Sequence, residues 1–343
     1  MENPDPTAEQ RKKDHIEMAF DARISSENLD QRFDYNPILS SHPKPAQDEL
    51  KTPFLGKTLS VPIWISSMTG GTEWAATINR NLARVCADFG MGMGLGSCRS
   101  LLQDYSHFAD FNIRRIIGDQ LPLYANLGIA QLEELAENSE LAKVSLLVDK
   151  LQADGLIIHI NPLQEWLQPE GDIIKHPPID TIKRLIDIYK GKIIVKEVGQ
   201  GMGKASLSAL FQLPIHAIDF AANGGTNFAK LELMRSNDLQ KATYKSIANL
   251  GHSALEMVNF CNKLDKELGS KRLCDQVIIS GGVNGFLDGY YLMNKLSIPS
   301  IYGQASAFLK YARGDYDQLY QFAELQVNGL KLAKRFLTIK EQV

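Results

Sequence analysis

The chain has 343 residues, 44% of them hydrophobic, and a formal net charge of −3. That length and apolar content support a large core, and one barrel domain with extensions accounts for them. The acidic balance argues against a dedicated nucleic-acid binder, which needs a basic excess to meet phosphates. No apolar run approaches the roughly 18 residues of a membrane helix, and the polar start lacks the apolar core of a secretory signal. Cys86, Cys98, Cys261 and Cys274 form no CxxC pair. A zinc site is therefore not expected, and reduced thiols in the cytoplasm are the simplest reading.

Residues 1–60 precede the first expected strand. Arg11–Arg23 reads as a short helix on which Arg11 and His15 share a face, with Lys12 beside them. A solvated basic helix end explains this from the N-terminus alone; a site for an anionic group such as a diphosphate is the alternative. Pro37, Pro43, Pro45 and Pro53 break the following stretch into turns and extended segments. The segment is expected to pack across one end of the barrel or against a neighbouring subunit. Eight apolar runs follow: Val61–Thr69, Met91–Ser97, Leu121–Gly128, Gly155–Pro162, Lys192–Gly199, Ala217–Thr226, Gln276–Val283 and Ser300–Ser306. They are mostly continuous rather than alternating, as in strands buried on both faces of a parallel sheet. Expected helices are Trp74–Phe89, Leu132–Leu151, Ile179–Tyr189, Ser206–Leu213, Ala254–Leu268, Phe286–Leu296 and Asp317–Thr338. The order predicts an α/β protein, a (β/α)8 TIM barrel over 61–343 with an N-terminal extension over 1–60.

Each run ends in a polar or glycine-rich patch, and in such a barrel these patches share one face. Run one ends Met68-Thr69-Gly70-Gly71-Thr72, which suits close approach to a planar or phosphorylated ligand but also an ordinary βα turn. Run two carries Gly92, Gly94 and Gly96 before Ser97-Cys98-Arg99. The glycines leave one strand face bare for a ligand or for a large neighbouring side chain. Ser97 and Arg99 would then form an anion-binding pair.

Run four gives His159-Ile160-Asn161-Pro162 and then Gln164, Glu165, Gln168, Glu170 and Asp172. His159 and Asn161 point to one face, where burial without partners is costly, and Glu165 is a hard-oxygen ligand suited to Mg²⁺. Run five places Lys196 and Glu197 in a buried strand, where a lysine needs an anionic partner. Glu197 or another side chain would serve, as would the pyrimidine edge of a reduced flavin. Small residues follow runs six (Asn223-Gly224-Gly225-Thr226), seven (Gly281-Gly282) and eight (Gln304-Ala305-Ser306). The last two positions are where barrels commonly bind phosphate.

Together these segments resemble the type II isopentenyl-diphosphate isomerases, which are FMN-dependent barrels. The resemblance runs from Arg11 to Ala305 and is strongest at Met68–Gly71, the block from His159 to Asp172, and Lys196-Glu197-Val198-Gly199. It implies interconversion of isopentenyl and dimethylallyl diphosphate, with FMN, Mg²⁺ and a reductant such as NADPH. By resemblance, FMN meets Met68, Thr69, Gly70, Ser97, Asn126, Lys196, Thr226, Gly281, Gly282, Gln304 and Ala305. The diphosphate meets Arg11, Lys12, His15, Ser97, Arg99 and Gln164, and Glu165 holds Mg²⁺. His159, Asn161, Gln164 and Glu165 form the catalytic group. A homo-oligomer, tetramer or octamer, is expected, acting on a small isoprenoid diphosphate without nucleic acid or membrane. The sequence departs from the family pattern at Cys98, where glutamine is usual, at Asn284, where arginine is usual, and at Tyr290-Tyr291-Leu292-Met293. The alternatives are another FMN-dependent barrel dehydrogenase or oxidase, and a non-catalytic barrel that binds a phosphorylated ligand. No histidine beside an arginine follows run seven, which counts against the hydroxy-acid oxidases.

Overall fold

A computed structural model describes residues 7–44, 50–67 and 73–340. All eight apolar runs form parallel strands of one closed barrel, in chain order. They are β1 (Ile63–Ile65), β2 (Gly92–Gly94), β3 (Leu123–Gly128), β4 (Gly155–Ile160), β5 (Lys192–Glu197), β6 (Ala217–Asp219), β7 (Val277–Ser280) and β8 (Ser300–Gln304). The strands are shorter than the apolar runs because the ends of the runs turn into the loops at the carboxyl face.

Two layers of side chains fill the barrel. The lower one is apolar: Trp64, Tyr124, Ile157, Ile194, Ala217, Ile278 and Ile301 pack into a single cluster. Trp64 lies where a Cβ on Gly92 would meet its ring at 2.6 Å. The bare face of β2 is thus filled by a neighbouring side chain at that level. The antiparallel hairpin Thr52–Phe54 and Lys57–Leu59 adds Phe54, Leu55 and Leu59 to this cluster. That part of the extension therefore closes the amino end of the barrel, opposite the functional loops.

Earlier in the N-terminal segment, Phe33–Tyr35 pairs with Leu337–Ile339 at the other end of the chain. Tyr290 and Tyr291, which depart from the family pattern, pack their rings against Phe33. The Tyr290 hydroxyl also donates to the Leu337 carbonyl at 3.1 Å. These aromatic residues anchor the extension to the barrel wall.

The expected helix Ala254–Leu268 is observed with those bounds, and its start is fixed by a reciprocal cap between Ser253 and Glu256. The expected helix Leu132–Leu151 is instead two helices, Ile129–Glu137 and Ala142–Lys150. Ser139 takes φ 60° between them. The Glu140 N–H then bonds the Leu135 carbonyl and the Ser139 N–H bonds that of Ala136, a Schellman ending. Local capping thus overrode a continuous apolar periodicity. Helices Pro162–Leu167, Phe228–Arg235, Asp238–Tyr244 and Ser306–Ala312 were not expected. The first two bury few of their apolar residues, Leu167, Ala229 and Leu233, in a small separate cluster. Among the described residues, no helix is long and apolar enough to cross a membrane.

Candidate active site

Two residues beyond the apolar layer, the barrel interior changes character on every strand. The inward positions become Ser66, Gly94, Asn126, His159, Lys196, Asp219, Ser280 and Gly303. Six of these eight carry polar side chains, and a barrel core without function has no reason to bury them. Two adjoining cavities open above this layer, of about 550 Å³ and 470 Å³, and share Ser67, Lys196, Val198 and Phe228.

Hydrogen bonds fix the orientation of the layer. Asn126 donates through Nδ2 to the Leu95 carbonyl at 3.0 Å, so its Oδ1 faces His159 Nδ1 at 2.8 Å as an acceptor. His159 must therefore carry its proton on Nδ1 and present Nε2 as a lone pair. Burial, reinforced by the Lys196 charge, lowers its pKa from 6.5 to about 3. The ring is neutral at physiological pH and cannot act as a resident cation. Because the fold binds this proton more weakly than the unfolded chain does, the contribution of His159 to stability is complete above about pH 6.5. That contribution is lost progressively as pH falls toward 3. Urea denaturation of wild type and His159→Asn is expected to show a steeper loss in that window for wild type; parallel curves would refute it.

Glu197, a candidate partner for Lys196 in the sequence, turns away. Its Oε2 accepts the N–H groups of Gly199, Gln200 and Gly201 at 2.7, 2.6 and 2.9 Å. Among the described residues, Lys196 itself donates only to the Glu197 carbonyl, at 2.8 Å. Its ammonium thus lines both cavities with no carboxylate in contact.

The strand-four block builds the rim. Asn161 Nδ2 donates to Glu165 Oε1 at 2.8 Å and to Gln164 Oε1 at 3.2 Å. Glu165 Oε2 accepts the Asp172 N–H at 2.8 Å. Gly171 permits this return of the loop, since a Cβ there would lie 1.9 Å from the Glu165 carbonyl. Gln164 lines the smaller cavity, and its Nε2 lies 3.5 Å from Glu232, whose other oxygen takes Arg235 at 2.6 Å. Arg99 is paired with Asp172 at 2.7 Å. Among the described residues, no group of three or more His, Cys, Asp or Glu side chains could hold a metal. A cation at Glu165 would therefore need ligand oxygens and water to complete its shell.

Above β6 to β8, the loops meet backbone to backbone. Gly281 and Gly282 have φ of +80° and +70°. A Cβ on Gly281 would stand 2.0 Å from the Ala222 carbonyl, so close packing of two loops, as well as ligand access, demands glycine here. Gly281→Ala is expected to lower stability by at least about 2 kcal/mol in urea melts; an unchanged midpoint would refute that reading. Asn284, in the place of a usual arginine, gives its backbone N–H and its Nδ2 to Asp288 Oδ2 at 2.9 and 3.2 Å. Asp288 Oδ1 takes Arg32 at 2.7 Å, so a cation from the extension stands beside this loop, shared with Asp30. Cys98 is fully buried, with its thiol on the Gly96 carbonyl and its pKa pushed up to about 12 by burial. It faces the core, where burial favours the protonated thiol.

No family model matches the chain. Comparison with curated proteins decides the question of family. The chain is 35% identical over 327 residues to an isopentenyl-diphosphate delta-isomerase of Rickettsia peacockii, covering 94% of this chain and 92% of the relative. The enzyme of the same name from Rickettsia typhi is 33% identical over 326 residues, with 94% and 92% covered. This chain belongs to the isopentenyl-diphosphate delta-isomerase family. Solved structures resemble it in fold alone. A mandelate oxidase bearing an FMN adduct superposes with TM-score 0.56 at 11% identity over 91% of this chain and 88% of that one. The flavin-binding domain of baker's yeast flavocytochrome b2 gives 0.56 at 13% over 88% and 71%.

The residues expected from the isomerase resemblance separate into three groups. Ser97, Asn126, His159, Gln164, Lys196, Thr226, Gly281, Gly282, Gln304 and Ala305 all line one of the two cavities. Asn161, Glu165 and Arg99 lie on the surrounding rim, linked through Asp172 and Gln164. Arg11, Lys12 and His15 lie on the helix Ala8–Met18, which buries none of its residues. Met68, Thr69 and Gly70 fall outside the described residues. The sequence reading missed Asp219, Ser280, Ser66 and Phe228. For the three strand residues the signal was available, because each strand's inward position recurs two residues after an apolar inward one; Phe228 opens the helix Phe228–Arg235.

Proposed function

We propose that this isomerase-family chain interconverts isopentenyl and dimethylallyl diphosphate on a bound FMN, with Mg²⁺ assisting the diphosphate. The reading rests foremost on the polar inner layer with a lone buried ammonium, Lys196, beneath two adjoining cavities. The residues fit a flavin. Among the described residues the buried Ser66 Oγ, Ser67 Oγ and Gln304 Oε1 have no hydrogen-bond partner, and the lining around them is mostly small. Lys196 would hold the pyrimidine edge, Asn126 and Thr226 would bond the ring, and Gly281, Gly282 and Ala305 would offer backbone to the phosphate. Met68, Thr69 and Gly70, outside the described residues, complete the proposed FMN set.

A reduced flavin supplies a proton donor and acceptor beside the alkene with no net change of electrons. The chain's own groups do the rest. Ser97 and Arg99 bind the diphosphate, joined by Arg11, Lys12 and His15 from the N-terminal helix, which makes 1–60 part of the site. Glu165 presents a carboxylate to Mg²⁺, whose other ligands are water and diphosphate oxygens, and so neutralises charge at the rim. Asn161 and Gln164 orient the hydrocarbon end, and neutral His159 adds no competing positive charge beneath it. Val198 and Phe228 exclude water from a cationic centre. NADPH is the proposed donor that first reduces the flavin.

The exposed Ile16, Phe20 and Ile24 of the N-terminal segment suit a homo-oligomer, tetramer or octamer. Four free, buried cysteines suit the cytoplasm. Purified protein is expected to retain FMN at one per chain, or to bind it on addition, and to bleach it with NADPH under anaerobic conditions. Failure to bind FMN at all would overturn the proposal.

A further inference from the structure

Lys196 is buried, its sequence neighbour Glu197 is committed to three backbone N–H groups, and among the described residues its only hydrogen bond is to a carbonyl. A buried ammonium in that state loses its proton unless a counter-charge stands near. The inner layer contains one carboxylate. Asp219 on β6 is the direct register partner of Lys196 on β5, on the same face and fully buried. Adjacent strands lie about 4.8 Å apart. The other inward groups at this level, Ser66, Asn126, Ser280 and neutral His159, carry no charge.

Ser280 and Lys196 partly offset the cost of burying Asp219. Ser280 Oγ accepts the Ala221 N–H at 2.8 Å, which commits the hydroxyl proton to Asp219 Oδ1. Oδ2 has no hydrogen-bond partner among the described residues. Burial raises the carboxyl's pKa, while the charge of Lys196 and the Ser280 hydroxyl oppose that rise. The Lys196 side chain borders both cavities, whereas Asp219 lines neither.

We propose that Asp219 is a positioning residue for Lys196, the counter-charge that keeps its ammonium protonated so that the cavity floor presents a fixed positive charge to an anionic ligand. The proposal rests on the flavin reading above and assigns the tuning of reduced-flavin stability to a residue that touches no ligand. Without Asp219, the charged form of this buried amine loses its counter-charge and is disfavoured. Since Lys196 is nearer the cavity, losing its charge outweighs losing that of Asp219.

The test is the flavin midpoint potential of the holoprotein, measured by anaerobic dye equilibration from about pH 6 to about pH 9. Asp219→Asn is expected to fall below wild type by a gap that widens with pH. At the alkaline end the reduced-to-oxidised ratio should drop about tenfold, or ~30 mV for a two-electron couple. In a Lys196→Met background the same substitution should shift nothing. An unchanged potential, or a pH-independent shift that survives Lys196→Met, would overturn the proposal. If Asp219→Asn does not fold, Ser280→Ala carries the test: a smaller shift in the same direction supports the role, and none overturns it. Wild type that binds no FMN would end the flavin reading and this proposal together, whereas wild type that binds FMN beside an unshifted variant would end this proposal alone.

Discussion

Glu165→Gln is expected to lower the turnover of isopentenyl diphosphate by about 10²- to 10⁴-fold while leaving FMN affinity unchanged. The carboxylate sits on the rim, accepts one bond on each oxygen, and has remaining lone pairs for a cation's water shell. The amide removes the negative charge that would hold Mg²⁺ near the diphosphate. It also places an NH₂ group against one of two donors, Asn161 Nδ2 or the Asp172 N–H, and so loosens the rim locally. Neither effect reaches the cavity floor, and FMN binding, read by flavin fluorescence, therefore stays as in wild type. Steady-state rates against Mg²⁺ concentration check the assignment. Wild-type activity in the variant at saturating Mg²⁺ would remove Glu165 from the role.

Lys196→Ala is expected to act on the other partner. Truncation removes the only cation on the cavity floor and leaves Asp219 buried without its counter-charge, so the carboxyl takes up a proton. FMN should bind about 10- to 100-fold more weakly, a loss of roughly 1.4 kcal/mol per tenfold. Its reduced form should lose more, because that is where negative charge gathers at the pyrimidine edge. Fluorescence titration and potentiometry measure the two effects. Unchanged affinity together with unchanged potential would reject the assignment. The two substitutions should separate cleanly: Glu165 changes rate without cofactor affinity, whereas Lys196 changes the cofactor and, through it, the rate.

The barrel was legible because buried parallel strands are continuous apolar runs, and each run here became a strand in its expected place. Gly92–Gly94 shows the limit of such reading. Alternating glycines allowed either a ligand or a large neighbour, and only packing shows that Trp64 fills the lower half. Helices that bury few apolar residues, such as Phe228–Arg235, leave little periodicity to detect. Their existence depends on the Asn227 cap and on contact with Leu167 across the site. The cavity-lining residues were largely legible as polar interruptions at strand ends. Lys196 was found that way, with Glu197, another side chain or a reduced flavin left open as its partner. Adjacency in sequence suggested Glu197, whereas strand register pairs the lysine with Asp219. The departures at Asn284 and Tyr290-Tyr291 could not be interpreted from the sequence, because Arg32, Phe33 and Asp288 meet them only through the fold.

The central claim is isomerisation on a reduced flavin, and the most direct test compares one preparation in two redox states. Holoprotein with Mg²⁺ and isopentenyl diphosphate should form dimethylallyl diphosphate, followed by anaerobic NMR, only after the flavin is reduced. The oxidised enzyme should form none, and NADPH should be consumed only in the initial reduction. Equal product from oxidised or FMN-free protein would contradict the account, as would NADPH consumed in proportion to product.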